Sequence, residues 1–173
     1  MKHAIKGRQP NSRMCFVCGM DNRYGLQSRF YELDNGEIVA CFRPADEHQS
    51  YPGRLHGGIA AAILDETIGR AVLNHQEDEL WGVTLEFSMK FRKPVPLDQE
   101  IRVVARLVEE NKRSFCGTGE IILADGSVAI EGSGRYLKMA LSKITDAEFK
   151  EEEWRVVEPG DADPTELDLP DRR

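Results

Sequence analysis

The chain lacks any hydrophobic run long enough to cross a bilayer. Its longest apolar stretch covers residues 59–64, against the roughly 20 residues that a spanning helix needs. It also lacks the pattern of a secretory leader. Lys2, Lys6, Arg8 and Arg13 open the sequence, but no apolar core follows them, so a cytoplasmic protein without a membrane partner is expected. Cysteine is too sparse for a disulfide framework: Cys15, Cys18, Cys41 and Cys116 are all there is. Cys41 and Cys116 sit in strand-like segments and read as small core residues. Cys15-Phe16-Val17-Cys18 is half of a zinc knuckle, and no second C-x-x-C or H-x-x-x-H follows to complete the four ligands that zinc wants. The expectation is a packed thiol turn without a metal; a site completed by another subunit stays open. With neither a whole finger nor a broad basic face, nucleic acid is not an expected partner.

What is present suffices for one soluble domain with a core, plus tails. The 173 residues (19.5 kDa) are 40% hydrophobic and 31% charged. The net charge of −7 is unevenly spread: residues 146–173 hold 11 acidic and 4 basic side chains, and residues 1–145 hold 19 of each. The acidity belongs to the tail. Basic clusters such as Lys90, Arg92 and Lys93 leave a phosphate-bearing ligand admissible in the body. The expected organisation is a disordered basic N-terminus over 1–14, a folded domain over 15–142, and an acidic, partly flexible tail over 143–173.

Two strand-like segments, 26–33 and 37–43, flank Asp34-Asn35-Gly36, a hairpin signal. A loop over 44–55 leads to a helix over about 58–74. Ile59, Ile63, Ile68, Ala71 and Val72 recur there at helical spacing with alanines between, so the helix is expected to be largely buried. The period then switches to two. Val83, Leu85, Phe87, Met89 and Phe91 alternate with Thr84, Glu86, Ser88 and Lys90, which reads as a half-buried antiparallel strand with Thr84 on its polar face. Strands over 101–107, 115–124 and 127–139 follow, the last two joined at Asp125-Gly126. Residues 145–153 read as a short exposed helix. The order of two strands, one buried helix and four strands leaves an edge or face for a second subunit to cover.

This order, and the run Leu55-His56-Gly57-Gly58-Ile59-Ala60-Ala61-Ala62-Ile63-Leu64-Asp65-Glu66, resemble the hot-dog thioesterases, in particular the phenylacetate-pathway-like acyl-CoA thioesterase group. The resemblance spans roughly residues 15–140. It takes in the leader Cys15-Phe16-Val17-Cys18-Gly19 with Asn22 and Gly25-Leu26, Gly53, and Thr84-Leu85-Glu86-Phe87 leading to Arg92-Lys93-Pro94. It implies an α+β hot-dog fold, an antiparallel sheet wrapped around one long central helix, with sheets joined across a homodimer or a dimer of dimers. It further implies hydrolysis of an acyl-CoA at a site on the dimer interface, with coenzyme A entering only as part of the substrate and no other cofactor. The same fold also carries enoyl-CoA hydratases and dehydratases and non-catalytic acyl-CoA sensors, so these remain alternatives.

Thioester hydrolysis needs an activated water or nucleophile and donors for the developing oxyanion. Gly57 and Gly58 begin a helix, where backbone N–H groups lack intrahelical partners, and are the expected oxyanion donors. Asp65 lies on the stripe of Gly58, Ala61, Ala62, Ile68, Gly69 and Val72. A desolvated carboxylate there has a raised pKa and is the expected general base or nucleophile. His56 helps orient the loop or polarise the carbonyl. Glu66 faces elsewhere and fits an i,i+4 pair with Arg70. Several members of the group carry Asn six positions before the His; this chain has Ser50 there and Gln49 beside it. Gln49, Ser50 and Thr84 are candidate substrate contacts, and Arg92 and Lys93 candidate phosphate contacts.

Overall fold

In the computed structural model, which describes residues 1–75, 80–146, 153–158 and 163–170, β1 (Lys2–Arg8), β2 (Asn11–Ser12), β3 (Arg29–Leu33) and β4 (Ile38–Phe42) precede α1 (Gly57–Arg70). After it come β5 (Leu80–Phe91), β6 (Ile101–Glu110), β7 (Ser114–Ile122), β8 (Val128–Ala140), β9 (Trp154–Arg155) and β10 (Glu166–Asp168). Both hairpin signals in the sequence form turns. Gly36 adopts φ 81°, a conformation that L side chains resist, and donates to the Leu33 carbonyl at 3.1 Å. Gly126 does the same to Leu123 at 2.9 Å. Eight strands make one sheet in the order β10-β1-β3-β4-β6-β7-β8-β5, antiparallel at every pairing. β2 and β9 pair separately.

α1 lies against this sheet. Besides Arg70, its buried residues are Ala60, Ile63, Leu64, Thr67 and Ile68, at the spacing of one helical face. They share a core with Phe30, Ala40, Val103, Ala105, Phe115, Ile121 and Ile130. The helical path continues as a tighter turn over Ala71–His75, so the expected helix over 58–74 is one α-helix with a 3₁₀ end. The four expected strands after the helix are present, and β5 begins a little earlier than its alternation suggested. Cys41 and Cys116 lie in β4 and β7 and are only partly buried.

The termini depart from expectation. Residues 1–14, expected to be disordered, supply β1 and β2, and β1 is sandwiched between β3 and β10. The cause lies on the far side of the sheet. Val39 and Val104 alternate with core residues and so face away from α1, where they need a cover. They are buried together with Tyr31, Leu33, Ile122, Leu167 and Leu169. The described parts of the acidic tail, 153–158 and 163–170, are thus docked. Asp163 pairs with Arg8 at 2.8 Å and Arg29 at 2.6 Å, which turns tail acidity into attachment. The helix expected over 145–153 falls mostly on 147–152, outside the described residues.

β5 forms the other edge of the sheet, and its simple alternation breaks. Its register against β8 shifts between Thr84 and Glu86, leaving Leu85 as a bulge. One extra residue changes which face the later side chains occupy. Phe87 and Met89 pack against the core, whereas Leu85 is 48% and Phe91 60% exposed.

Candidate active site

The bulge decides what Thr84 does. An uninterrupted period of two would put residues 84 and 87 on opposite faces; with the bulge, both turn toward α1. Thr84 therefore leaves the polar face expected for it and reaches Asp65. Its Oγ1 donates to the carboxylate, 3.0 Å from Oδ1 and 3.1 Å from Oδ2. Tyr136, directly opposite Thr84 on β8, places its hydroxyl 3.1 Å from Asp65 Oδ1 and 3.1 Å from the Asp65 backbone carbonyl oxygen. Its ring is buried and stacks on Phe115 with centroids 4.9 Å apart, which fixes the hydroxyl.

Burial raises the pKa of Asp65 above the usual carboxylate value, the Thr84 and Tyr136 hydroxyls pull it back, and neighbouring Glu66 pushes it up again. The net direction is upward, as desolvation on an apolar stripe demands. The Tyr136 phenol is pushed up by burial and by the adjacent carboxylate, so it remains a donor. Tyr136 was not among the sequence candidates. Its signal was weak: a hydroxyl at an alternating position of a strand, without a register to place it.

The helix start holds the second group. His56 is the N-cap of α1, and its Nδ1 accepts from the Gly58 N–H at 2.9 Å. The neutral ring therefore carries its proton on Nε2. Gly58 N–H, expected as an oxyanion donor, is thus occupied by His56. Gly57 N–H has no partner among the described residues. The two groups do not meet within one chain. From Gly57 to Asp65 a straight helix advances about 12 Å.

The other candidates scatter. Gln49 Oε1 accepts from Gly53 N–H at 3.2 Å, and Ser50 Oγ accepts from Tyr51 N–H at 2.6 Å; both side chains brace the loop before the helix. Arg92 pairs with Glu131 at 2.9 Å on the surface, and Lys93 is exposed beside it. Glu66 and Arg70 do form their i,i+4 pair, at 2.7 Å, but Arg70 is buried rather than a surface residue.

A cavity of about 290 Å³ opens beside the carboxylate, lined by Asp65, Thr84 and Tyr136 together with Trp81 and Trp154. Cys15, Cys18 and Glu66 line it too. Their ligand atoms all lie within 4.8 Å of one another, and among the described residues they are the group able to hold a metal ion. A larger hollow of about 660 Å³, bordered by Met1, Arg102, Asp125 and Pro170, lies away from α1 and gathers no such chemistry.

Known proteins bear on this geometry. Residues 52–130 match the family model of the thioesterase superfamily, a span that contains His56, Gly57, Asp65 and Thr84. Acyl-coenzyme A thioesterase THEM4 of Mus musculus is 23% identical over 136 residues, which are 78% of this chain and 57% of that protein. The chain thus spans little more than half the length of that curated relative. The crystal structure of a thioesterase superfamily protein superposes with a TM-score of 0.66 at 26% identity, covering 72% of this chain and 60% of that one. A putative thioesterase related to phenylacetic acid degradation, from Ralstonia eutropha, gives a TM-score of 0.59 at 22% identity, covering 65% and 85%. A single helix held against a large antiparallel sheet, as in these structures, is the hot-dog fold, and the resemblance carried by His56-Gly57-Gly58 and Asp65 is matched by family model and fold alike.

Proposed function

We propose that the protein is an acyl-CoA thioesterase in which Asp65 is the general base or nucleophile. The observation that carries this reading is the Asp65 carboxylate, half-buried on α1 and held by the Thr84 and Tyr136 hydroxyls at the mouth of a cavity. Tyr136 touches only Oδ1. Oδ2, reached by the Thr84 hydroxyl at 3.1 Å, keeps a lone pair for a proton from water or for the thioester carbon. A raised pKa makes the carboxylate a stronger base than a solvated one. The match to the thioesterase superfamily and the name of the mouse relative support the substrate class.

The oxyanion donor in this reading is Gly57 N–H, with the positive end of the helix behind it. It comes from a second copy of the chain. Phe91, at one end of β5, lies beside Gly57, so that a Cβ there would stand 3.5 Å from its ring. Thr84, toward the other end, holds Asp65. β5 is an edge strand with exposed Leu85 and Phe91, and edges invite pairing. Antiparallel pairing of two β5 edges about a two-fold axis brings the Gly57 end of one copy to the Asp65 end of the other. A homodimer then has two equivalent sites, and a dimer of dimers has four. His56 holds the glycine turn, with its Nε2–H turned to the substrate carbonyl. Gln49 and Ser50 shape the loop that the thioester passes, and Arg92 and Lys93 meet the coenzyme A phosphates.

No helix among the described residues is long and apolar enough to cross a membrane. Four free cysteines suit a reducing compartment, in keeping with a cytoplasmic protein. The test is release of free thiol from a panel of acyl-CoAs. The wild type is expected to hydrolyse at least one of them and Asp65→Asn none. Undiminished hydrolysis by Asp65→Asn overturns the role of Asp65, and saturable binding of acyl-CoA without thiol release favours a sensor.

A further inference from the structure

We propose that Cys15, Cys18 and Glu66 form a binding site for a thiophilic divalent cation of the zinc class, with a fourth coordination position open to the cavity beside Asp65. The sequence shows only half of a knuckle. The fold brings in the third donor, from α1, and the three ligand atoms lie within 4.8 Å of one another. A tetrahedral site with bonds of about 2.3 Å to sulfur and about 2.0 Å to oxygen sets its ligand atoms about 3.5–3.8 Å apart, so closing around an ion takes a shift of at most about 1.3 Å.

The loop is shaped as such a site requires. Val17 N–H donates to Cys15 Sγ at 3.3 Å, and Ser12 N–H donates to Cys18 Sγ at 3.4 Å. Backbone donors aimed at sulfur favour its charged form. The turn is closed by Gly19 N–H donating to the Cys15 carbonyl at 2.8 Å. A Cβ on Gly19 would stand 2.3 Å from that same oxygen, so only glycine allows the knuckle to wind this tightly.

Glu66 is held in place from behind. Arg70 donates to its Oε1 from Nε at 3.0 Å and Nη2 at 2.7 Å, and Arg70 is itself tied to the Pro10 carbonyl at 2.9 Å. Oε2 is left turned to the cysteines, 3.3 Å from Cys15 Sγ. A carboxylate ligand oriented by a hydrogen-bonding neighbour is the usual construction of a metal site. Charge also balances. With thiols protonated, Glu66 offsets the buried Arg70. With a dication, two thiolates and one carboxylate, the cluster carries one net negative charge, which Arg70 again offsets. Two S–H protons pass to solvent as the two metal–sulfur bonds form. The site shares its cavity with Trp81, Thr84 and Tyr136, so water or a small ligand can fill the fourth position.

This inference does not rest on the thioesterase reading, and its test does not use that activity. The full chain, reduced and stripped with a chelator, is given Zn²⁺ or Co²⁺ and dialysed. One ion per chain is expected to remain, with about two protons released per ion and thiolate-to-metal charge-transfer bands in the cobalt form. Cys15→Ser and Cys18→Ser are expected to lose the ion, Glu66→Gln to weaken binding by about tenfold or more, and Cys116→Ser to keep it. Should a serine variant fail to fold, the wild-type cobalt spectrum decides, since the two thiolates must appear in it. Failure of the reduced wild type to retain an ion overturns the proposal. So does equal loss in Cys116→Ser, or undiminished binding by Glu66→Gln.

Discussion

Thr84 and Tyr136 stand directly opposite one another on β5 and β8, and both hydroxyls donate to the Asp65 carboxylate. The pair is a clamp. It orders a charge that burial penalises, beside a cavity that Asp65 helps to line.

Removing either arm of the clamp is expected to slow thioester hydrolysis by about tenfold or more, the scale of a hydrogen bond to a charged group. Both hydroxyls favour the ionised form of Asp65, so Thr84→Val and Tyr136→Phe also move the acid limb of kcat/KM to higher pH. In the wild type burial already pushes that limb upward. Profiles that superpose across the three proteins would separate the clamp from the titrating group.

Asp65→Asn is expected to keep or raise the melting temperature at neutral pH. The folded pKa of Asp65 is raised above 3.8, so the native state holds its proton more firmly than the unfolded chain. Stability from this group is therefore full below about pH 3.8 and falls as pH rises through the folded pKa. The amide removes that loss, and its advantage shrinks toward acid. A variant clearly less stable than wild type at pH 7 would show that the carboxylate holds the fold together.

The helix and its motif were legible because period and spacing are local: His56-Gly57-Gly58, the buried stripe and Asp65 all lie on one element. The hairpins at Asp34-Asn35-Gly36 and Asp125-Gly126 were equally local. Thr84 was assigned to the polar face because a bulge at Leu85 leaves no mark in an alternating string. Tyr136 and Glu66 depend on register and on the path of the leader, which no single segment encodes. The tail looked solvated by composition, yet Leu167 and Leu169 answer an apolar face formed by β3, β4 and β6, elements far from them along the chain.

Leu169→Ala follows from that cover. Its side chain is 1% exposed, and emptying such a position costs about 2–5 kcal/mol. Chemical denaturation is the check. A loss near zero would mean that the C-terminal segment is not part of the folding unit.

Gly57→Pro is expected to fold and to lose about 10²–10³ of kcat, the value of one oxyanion donor. Gly57 is the first residue of α1, where proline is tolerated because its missing N–H has no helical partner. His56 before it sits at φ −66°, ψ 134°, within the range that a following proline allows. Circular dichroism and thiol release on the same sample separate folding from catalysis.

The most direct test mixes these two inactive proteins. Asp65→Asn retains a sound Gly57, and Gly57→Pro retains a sound Asp65. If each site joins Gly57 of one copy to Asp65 of another, subunit exchange in an equimolar mixture restores thiol release from acyl-CoA to about one quarter of the wild-type rate, one intact site in each mixed dimer. A mixture as inactive as its two components, with exchange verified, would contradict the account.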